Sequence, residues 1–289
     1  MQRRNSASPG RELGRPPGEH LDPGRRRAGW RRAGLRYRRY EVEDRYRRLQ
    51  EVAEPVDFRG RGFDAFDLRP FLDEVLPKLT VPGNEPWAFE YGTGTGPSAC
   101  YLAERGFRVD AIDTSPAAIE LAKRFAAEKG LIIGFEVGDI VRLSGWDRTY
   151  DLVVDSFCMH NLITDDERRR ALANVRALLR LEAYFVIGTR FFDPERAYGH
   201  DIRDEGTGIV YSPLEANPED FEDVRRIDGA WYYARARHVR PAELREEIEV
   251  AGFRVLCQRN GGRIVCTRDA RAEPAGAATD ESRRRDSLA

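Results

Sequence analysis

Between Trp87 and Asp113 the chain reads WAFEYGTGTGPSACYLAERGFRVDAID. An apolar strand runs into the glycine turn Gly92-Thr93-Gly94-Thr95-Gly96, a helix opens on Pro97, and a second strand ends in an acid, Asp113. A strand, glycine turn, helix, strand and carboxylate in that order make a nucleotide-shaped site built mostly of backbone. The glycines admit a ligand to the main chain, the helix N-terminus favours electron-rich groups, and the carboxylate accepts from ribose hydroxyls.

Two residues narrow the nucleotide. A dinucleotide fingerprint wants a glycine where Pro97 stands, and no Gly-Lys-Ser/Thr follows the turn to make a phosphate loop. Glu90, two residues before the first glycine, repels a pyrophosphate and welcomes an ammonium group. The ligand expected is therefore a ribose and adenine-like ring carrying a cationic amino-acid portion.

Short apolar strands alternate with helices on both sides of this unit. Helices are expected over 37–53 and 67–79, with Val42, Tyr46, Leu49 and Ala53 forming the apolar stripe of the first. Strands are expected at 87–91, 108–112, 131–136, 150–155 and 184–189, and helices at 97–105, 116–128 and 165–179. This pattern predicts an α/β fold with a doubly wound, mostly parallel sheet. A helix over 241–251 leads into FRVLCQRNGGRIVCTR, whose Asn260-Gly261-Gly262 signals an antiparallel C-terminal hairpin. With Gly261 and Gly262 as the turn residues, Cys257 and Cys266 face each other across it, as buried small apolar side chains.

These features together resemble the class I S-adenosylmethionine-dependent methyltransferases, over residues 86–190 and more loosely 40–268. The matching residues are Glu90 to Gly96 for the first motif, Asp113 ending strand two, Gly138-Asp139-Ile140 after strand three, and Tyr150 to Asp155 for strand four. The resemblance implies a Rossmann-like seven-stranded sheet and S-adenosyl-L-methionine as cofactor. It implies that Glu90, Gly92, Thr93, Gly94 and Gly96 hold the methionine and ribose portions and Asp113 the ribose hydroxyls. Asp139 with Ile140 would take the adenine, and Asp155 would border the site. Gly-Asp is also ordinary turn chemistry, so a purely local role for Asp139 stays open.

The loop Asp155-Ser156-Phe157-Cys158-Met159-His160-Asn161 should border the transferred methyl. Enzymes of this family that methylate base amino groups carry Asn/Asp-Pro-Pro-Tyr/Phe here. This chain lacks the prolines, which points away from nucleic acid and toward a small-molecule methyl acceptor. His160 is the candidate general base, against a structural His-Asn pair; Cys158 is a weaker candidate nucleophile. Residues 191–236 interrupt the alternation with nine aromatic or histidine side chains among many acids. They are read either as a substrate lid or as a β-extension packing its own aromatics. His238 and Arg240 follow within reach of the same end. One departure from the family is Leu181-Glu182-Ala183 where a Pro-Gly-like turn is usual.

Composition bounds the rest. Twelve arginines against three acids give residues 1–40 a local charge of +9 in a chain of net charge −1. Residues 1–36 and 269–289 read as disordered extensions flanking a domain over 37–268. The basic tail leaves a second reading open, an RNA or protein methyltransferase that uses it to hold a polymer; a non-catalytic cofactor-binding protein is a third. No apolar run is long enough to span a membrane, and four cysteines without CxxC spacing suit reduced thiols in a cytosol. The oligomeric state is not legible.

Overall fold

The structure, a computed structural model, describes residues 37–221 and 223–269. The expected extensions over 1–36 and beyond Asp269 lie outside the described residues. Helices α1 (Tyr37–Leu49) and α2 (Arg69–Val75) precede the sheet. Then β1 (Trp87–Tyr91), α3 (Pro97–Ala103), β2 (Arg108–Asp113), α4 (Pro116–Glu128), β3 (Gly134–Val137), β4 (Tyr150–Ser156), α5 (Asp165–Leu178) and β5 (Leu179–Gly188) alternate. Strands β6 (Ile202–Arg203), β7 (Ile209–Pro213), β8 (Val224–Ile227) and β9 (Ala230–Arg237) come next, and α6 (Pro241–Val250), β10 (Phe253–Arg259) and β11 (Arg263–Arg268) close the described chain.

Seven strands form one sheet in the order β10-β11-β5-β4-β1-β2-β3. Strands β1 to β5 pair in parallel, while β11 runs antiparallel to both β5 and β10. The chain leaves β1 toward β2 and β3, then returns to β4 on its other side. The glycine turn after β1 therefore lies at the topological switch point, where open sheets of this kind bind ligands.

Side-chain alternation divides the core between the two faces of the sheet. Ala88, Leu152, Val154 and Val186 pack toward Leu102, Leu121 and Phe125 of α3 and α4. Phe89, Tyr91, Val153, Phe185 and Ile187 pack toward Leu172, Val175, Leu244 and Ile248 of α5 and α6. The period of two along each strand supplies both layers.

Helix boundaries follow local chemistry. Ser115 caps α4 by accepting the Ala118 N–H, and Thr164 with Glu167 makes a capping box on α5. The second helix is shorter than expected: Pro77 lacks an N–H, and the chain passes from α2 into a 3₁₀ turn at Leu76–Lys78. The first ends at Leu49, and Ala53 is exposed.

Three strand expectations are corrected. Strand β3 starts at Gly134, because the Leu131 N–H closes the end of α4 on Ala126 and Ile132 is 97% exposed. Strand β5 starts five residues early, with Leu179 buried beside Tyr150 and Glu182 kinked to φ 64° where relatives place a turn. The hairpin turns on three residues, Asn260 to Gly262, with Asn260 and Gly261 at positive φ, and a bulge separates Val255 from Cys257. Val255 thus faces Cys266, and Cys257 faces Val265. All four cysteines are free thiols.

Residues 202–237 form a second, antiparallel sheet in the order β6-β7-β9-β8, which buries Tyr211 and Tyr233. Contacts to α1 and to the start of α5 fasten it to the rest. Arg237 donates to the Ile163 carbonyl and pairs with Asp165 at the start of α5, and the Tyr233 hydroxyl donates to Glu41 of α1 at 2.7 Å.

Candidate active site

Gly92, Gly94 and Gly96 all sit at positive φ (65°, 59° and 88°), so the turn after β1 is left-handed at every second residue. Asp113 holds it from the neighbouring strand: its carboxylate accepts the Gly94 N–H and the Ser115 N–H, each at 2.9 Å. The Asp113 carbonyl accepts from Gly138, which draws the Gly138-Asp139 step to the same end of the sheet. Asp139 there accepts the Val141 N–H at 2.9 Å and caps a 3₁₀ turn over Ile140–Arg142 whose Ile140 is buried.

Glu90 is fully buried beneath the turn. The Thr93 hydroxyl donates to its Oε2 at 2.6 Å, while Oε1 is buried and has no hydrogen-bond partner among the described residues. A buried carboxylate oxygen without a donor is costly, and an ammonium group on a ligand would satisfy it.

Burial pushes the Glu90 carboxyl up to about 8 against the Thr93 hydroxyl and, after it, Ser98 and the Ala99 N–H beside it. The folded chain keeps a proton that the unfolded chain sheds near the ordinary glutamate value. That contribution is complete below the ordinary value and is lost as pH rises through about 8. His238 runs the other way: burial, then Arg196, pushes it down to about 4, so its contribution is present above the ordinary histidine range and is lost on falling through about 4. Above about pH 6.5, the ordinary histidine value, Glu90 acts with Asp155, which burial lifts to about 7. Thermal unfolding should therefore show a melting temperature several degrees lower at about pH 8 than at about pH 6.5. Glu90→Gln should remove most of that slope; an unchanged slope in the variant would sink the assignment.

Helix α1 roofs the turn, which sequence reasoning missed. A Cβ on Gly94 would lie 2.7 Å from the Tyr46 hydroxyl, and one on Gly92 would lie 2.5 Å from Cβ and Sγ of Cys158. Tyr46 is 5% exposed; burial, then Asp113 and Cys158, pushes its hydroxyl well above the ordinary tyrosine value. Ser115, which caps α4, also donates its hydroxyl to Glu43 of α1. The periodicity of α1 gave Tyr46 only as part of an apolar stripe, and no local signal distinguishes a roof from a core face.

The loop after β4 carries the other candidates. The Asp155 carboxylate is fully buried and accepts the N–H groups of Cys158 and Met159, which commits it to shaping the loop. Through those N–H groups it positions Cys158 and the turn that carries His160. Phe157 stands at φ 66°, an uncommon conformation for an aromatic residue, held by its N–H on the Gly188 carbonyl. The His160 ring centre lies 6.3 Å from that of Phe157 and 6.2 Å from that of His238, which follows β9. Strand β9 packs against the 3₁₀ turn Met159–Asn161 that carries His160. Arg240, by contrast, turns to Glu243 at the start of α6.

The arrangement fits a ribose- and ammonium-bearing ligand: a cradle of three glycines, a buried carboxylate on each side, and one carboxylate oxygen left without a partner. The family model for a methyltransferase domain matches residues 88–182. A 2-heptyl-1-hydroxyquinolin-4(1H)-one methyltransferase of Mycobacteroides abscessus is 36% identical over 230 residues, covering 73% of this chain and 98% of that one. The chain is a class I S-adenosylmethionine-dependent methyltransferase. A ubiquinone biosynthesis O-methyltransferase of Coxiella burnetii is 26% identical over 64% of this methyltransferase and 70% of its own length. The solved structure of the CcbJ methyltransferase from Streptomyces caelestis superposes with a TM-score of 0.57 at 18% identity, over 79% of this chain and 96% of that one, and shares the fold. S-adenosylmethionine is thus the cofactor, and when bound it supplies an electrophilic methyl on a sulfonium. Among the described residues, no helix of this methyltransferase is long and apolar enough to cross a membrane.

Proposed function

We propose that this methyltransferase acts on a small, partly aromatic acceptor. The observation that carries the proposal is the second sheet, which is fastened over the end of the fold where Phe157, His160 and His238 come together. Residues 202–237 then serve as the acceptor lid, a role that a β-extension with buried aromatics of its own fulfils without conflict. Glu90 takes the donor's ammonium, Asp113 its ribose, and Asp139 with Ile140 its adenine, while Asp155 acts by fixing the loop. The relative at 36% identity, named for a hydroxyquinolone, supports a small-molecule acceptor. The four free cysteines suit a cytosolic setting.

The test is release of S-adenosylhomocysteine from S-adenosylmethionine in the presence of a panel that includes 2-heptyl-1-hydroxyquinolin-4(1H)-one, simple phenols, amines, RNA and protein. Turnover with a small molecule is expected. Turnover confined to RNA or protein, and lost on deleting residues 1–36, would establish the polymer reading instead.

A further inference from the structure

His238 is 3% exposed. At one edge of its ring, Nδ1 lies 3.1 Å from the Tyr198 hydroxyl and 3.4 Å from Nη1 of Arg196. A guanidinium has no lone pair to offer and only donates, so Nδ1 is the accepting nitrogen and the proton of the neutral ring sits on Nε2. Nε2 is buried and meets no partner among the described residues. A buried N–H with nothing to donate to is destabilising, and folded proteins keep few of them.

The charge around the ring has one sign. Arg203 donates from Nε and Nη2 to the His238 carbonyl at 3.1 and 3.0 Å, and Arg196 lies against Nδ1. Neither has a carboxylate within ion-pair distance among the described residues, whereas Arg235 is paired with Asp201 at 2.6 Å. With burial, these three cations hold the ring neutral at ordinary pH, so the Nε2 proton stays in place as a hydrogen-bond donor. Aromatic surface lies alongside: the Arg203 guanidinium stacks 4.0 Å over Phe192, and the Tyr198 ring centre is 5.8 Å from that of His238.

We propose that His238 binds the methyl acceptor through Nε2–H, and that the acceptor is an aromatic compound whose acidic hydroxyl enters the site as its oxyanion. This rests on the small-molecule reading above and names the substrate class. A protonated amine would meet the same cations and an N–H that needs a lone pair. An oxyanion satisfies both. The hydroxyl loses its proton to water on entry. Its oxygen then forms a bond to the methyl carbon as the carbon–sulfur bond breaks, with the electron pair returning to sulfur, which leaves a neutral ether and a thioether. No general base is needed, and His160 is relieved of that duty.

The experiment titrates 4-nitrophenol, whose phenol and anion differ in colour, in the full chain saturated with S-adenosylhomocysteine. The bound probe should ionise at least about one pH unit lower than the free probe, the anion binding about tenfold more tightly than the phenol. The amine analogue 4-nitroaniline should bind at least about tenfold more weakly than the anion. His238→Leu should abolish the shift with S-adenosylhomocysteine affinity intact. Should that variant not fold, His238→Gln, which keeps an N–H near the Nε2 position, should retain the shift and His238→Asn should lose it. An unshifted or raised ionisation, equal binding of the aniline, a shift that survives in both His238→Leu and His238→Asn, or no probe binding to a chain that binds S-adenosylhomocysteine would each overturn the proposal. Failure to bind S-adenosylhomocysteine would strike the donor site instead, a separate result.

Discussion

Replacing Asp113 by alanine should weaken binding of S-adenosylhomocysteine by about 100-fold or more. Its carboxylate accepts the Gly94 and Ser115 N–H groups at 2.9 Å, so it fixes the glycine turn relative to the cap of α4 before any ligand arrives. Hydrogen bonds to a charged group contribute about 1.5–3 kcal/mol each, and each 1.4 kcal/mol is about tenfold in affinity. Losing both braces, together with the ribose contact proposed for the same group, exceeds two such factors. Asp113→Asn keeps one acceptor oxygen and should fall between the wild type and alanine. A change within about threefold for Asp113→Ala in calorimetric titration would remove Asp113 from the cofactor site.

Arg168→Met should lower the melting temperature by about 6–20 °C. The Arg168 side chain is 2% exposed and donates from Nε and Nη2 to the two oxygens of Glu247, each at 2.6 Å, and from Nη1 to the Met159 carbonyl at 3.0 Å. One guanidinium thereby ties α5 to α6 and to the turn that carries His160. Breaking a fully buried pair from one side costs about 3–5 kcal/mol, and a domain of this size loses about 2–4 °C per kcal/mol. The Glu247 side chain is 26% exposed, so water meets part of that cost and the loss falls toward the lower end. Much of the cost is the carboxylate left behind, so Arg168→Met with Glu247→Leu should recover part of the loss. Scanning calorimetry decides it: a double variant no more stable than the single one would show that the stranded charge is not the cause. Turnover by Arg168→Met should drop even where it stays folded, because the Met159 carbonyl loses the Arg168 donor while only its N–H stays held by Asp155.

The sheet and its strands were legible because each strand is short, apolar and bounded by glycine, proline or a cap. Trp87–Tyr91, Arg108–Asp113 and Tyr150–Ser156 lie within a residue of their expected positions. Boundaries slipped where a single backbone bond decides them. The Leu131 N–H closes α4 rather than opening β3, and Glu182 kinks a strand in place of a turn. The cysteine pairing across the hairpin failed because the turn takes three residues, Asn260 to Gly262, where two were expected, and that moves every partner by a place.

The site was legible in its backbone half and less so in its side-chain half. Glycines at fixed spacing with Glu90 and Asp113 announce a turn that local sequence must encode. Tyr46 lies on a helix nearly fifty residues upstream, and its place over Gly94 depends on how α1 crosses α4. His238 lies about eighty residues beyond His160, and only the second sheet brings the rings to 6.2 Å. Asp155 sits in a motif that suggests a ligand contact, and its bonds to the loop N–H groups of Cys158 and Met159 are a second task that the motif does not announce. Contacts made through tertiary packing leave no periodicity for a sequence to display.

The central claim is that the turn from Glu90 to Gly96, braced by Asp113, holds the adenosyl donor. Calorimetric titration of the full chain with S-adenosylmethionine and S-adenosylhomocysteine tests it most directly. One-to-one binding of both, weakened strongly in Asp113→Ala, is the predicted result. A well-folded chain that binds neither would contradict the account.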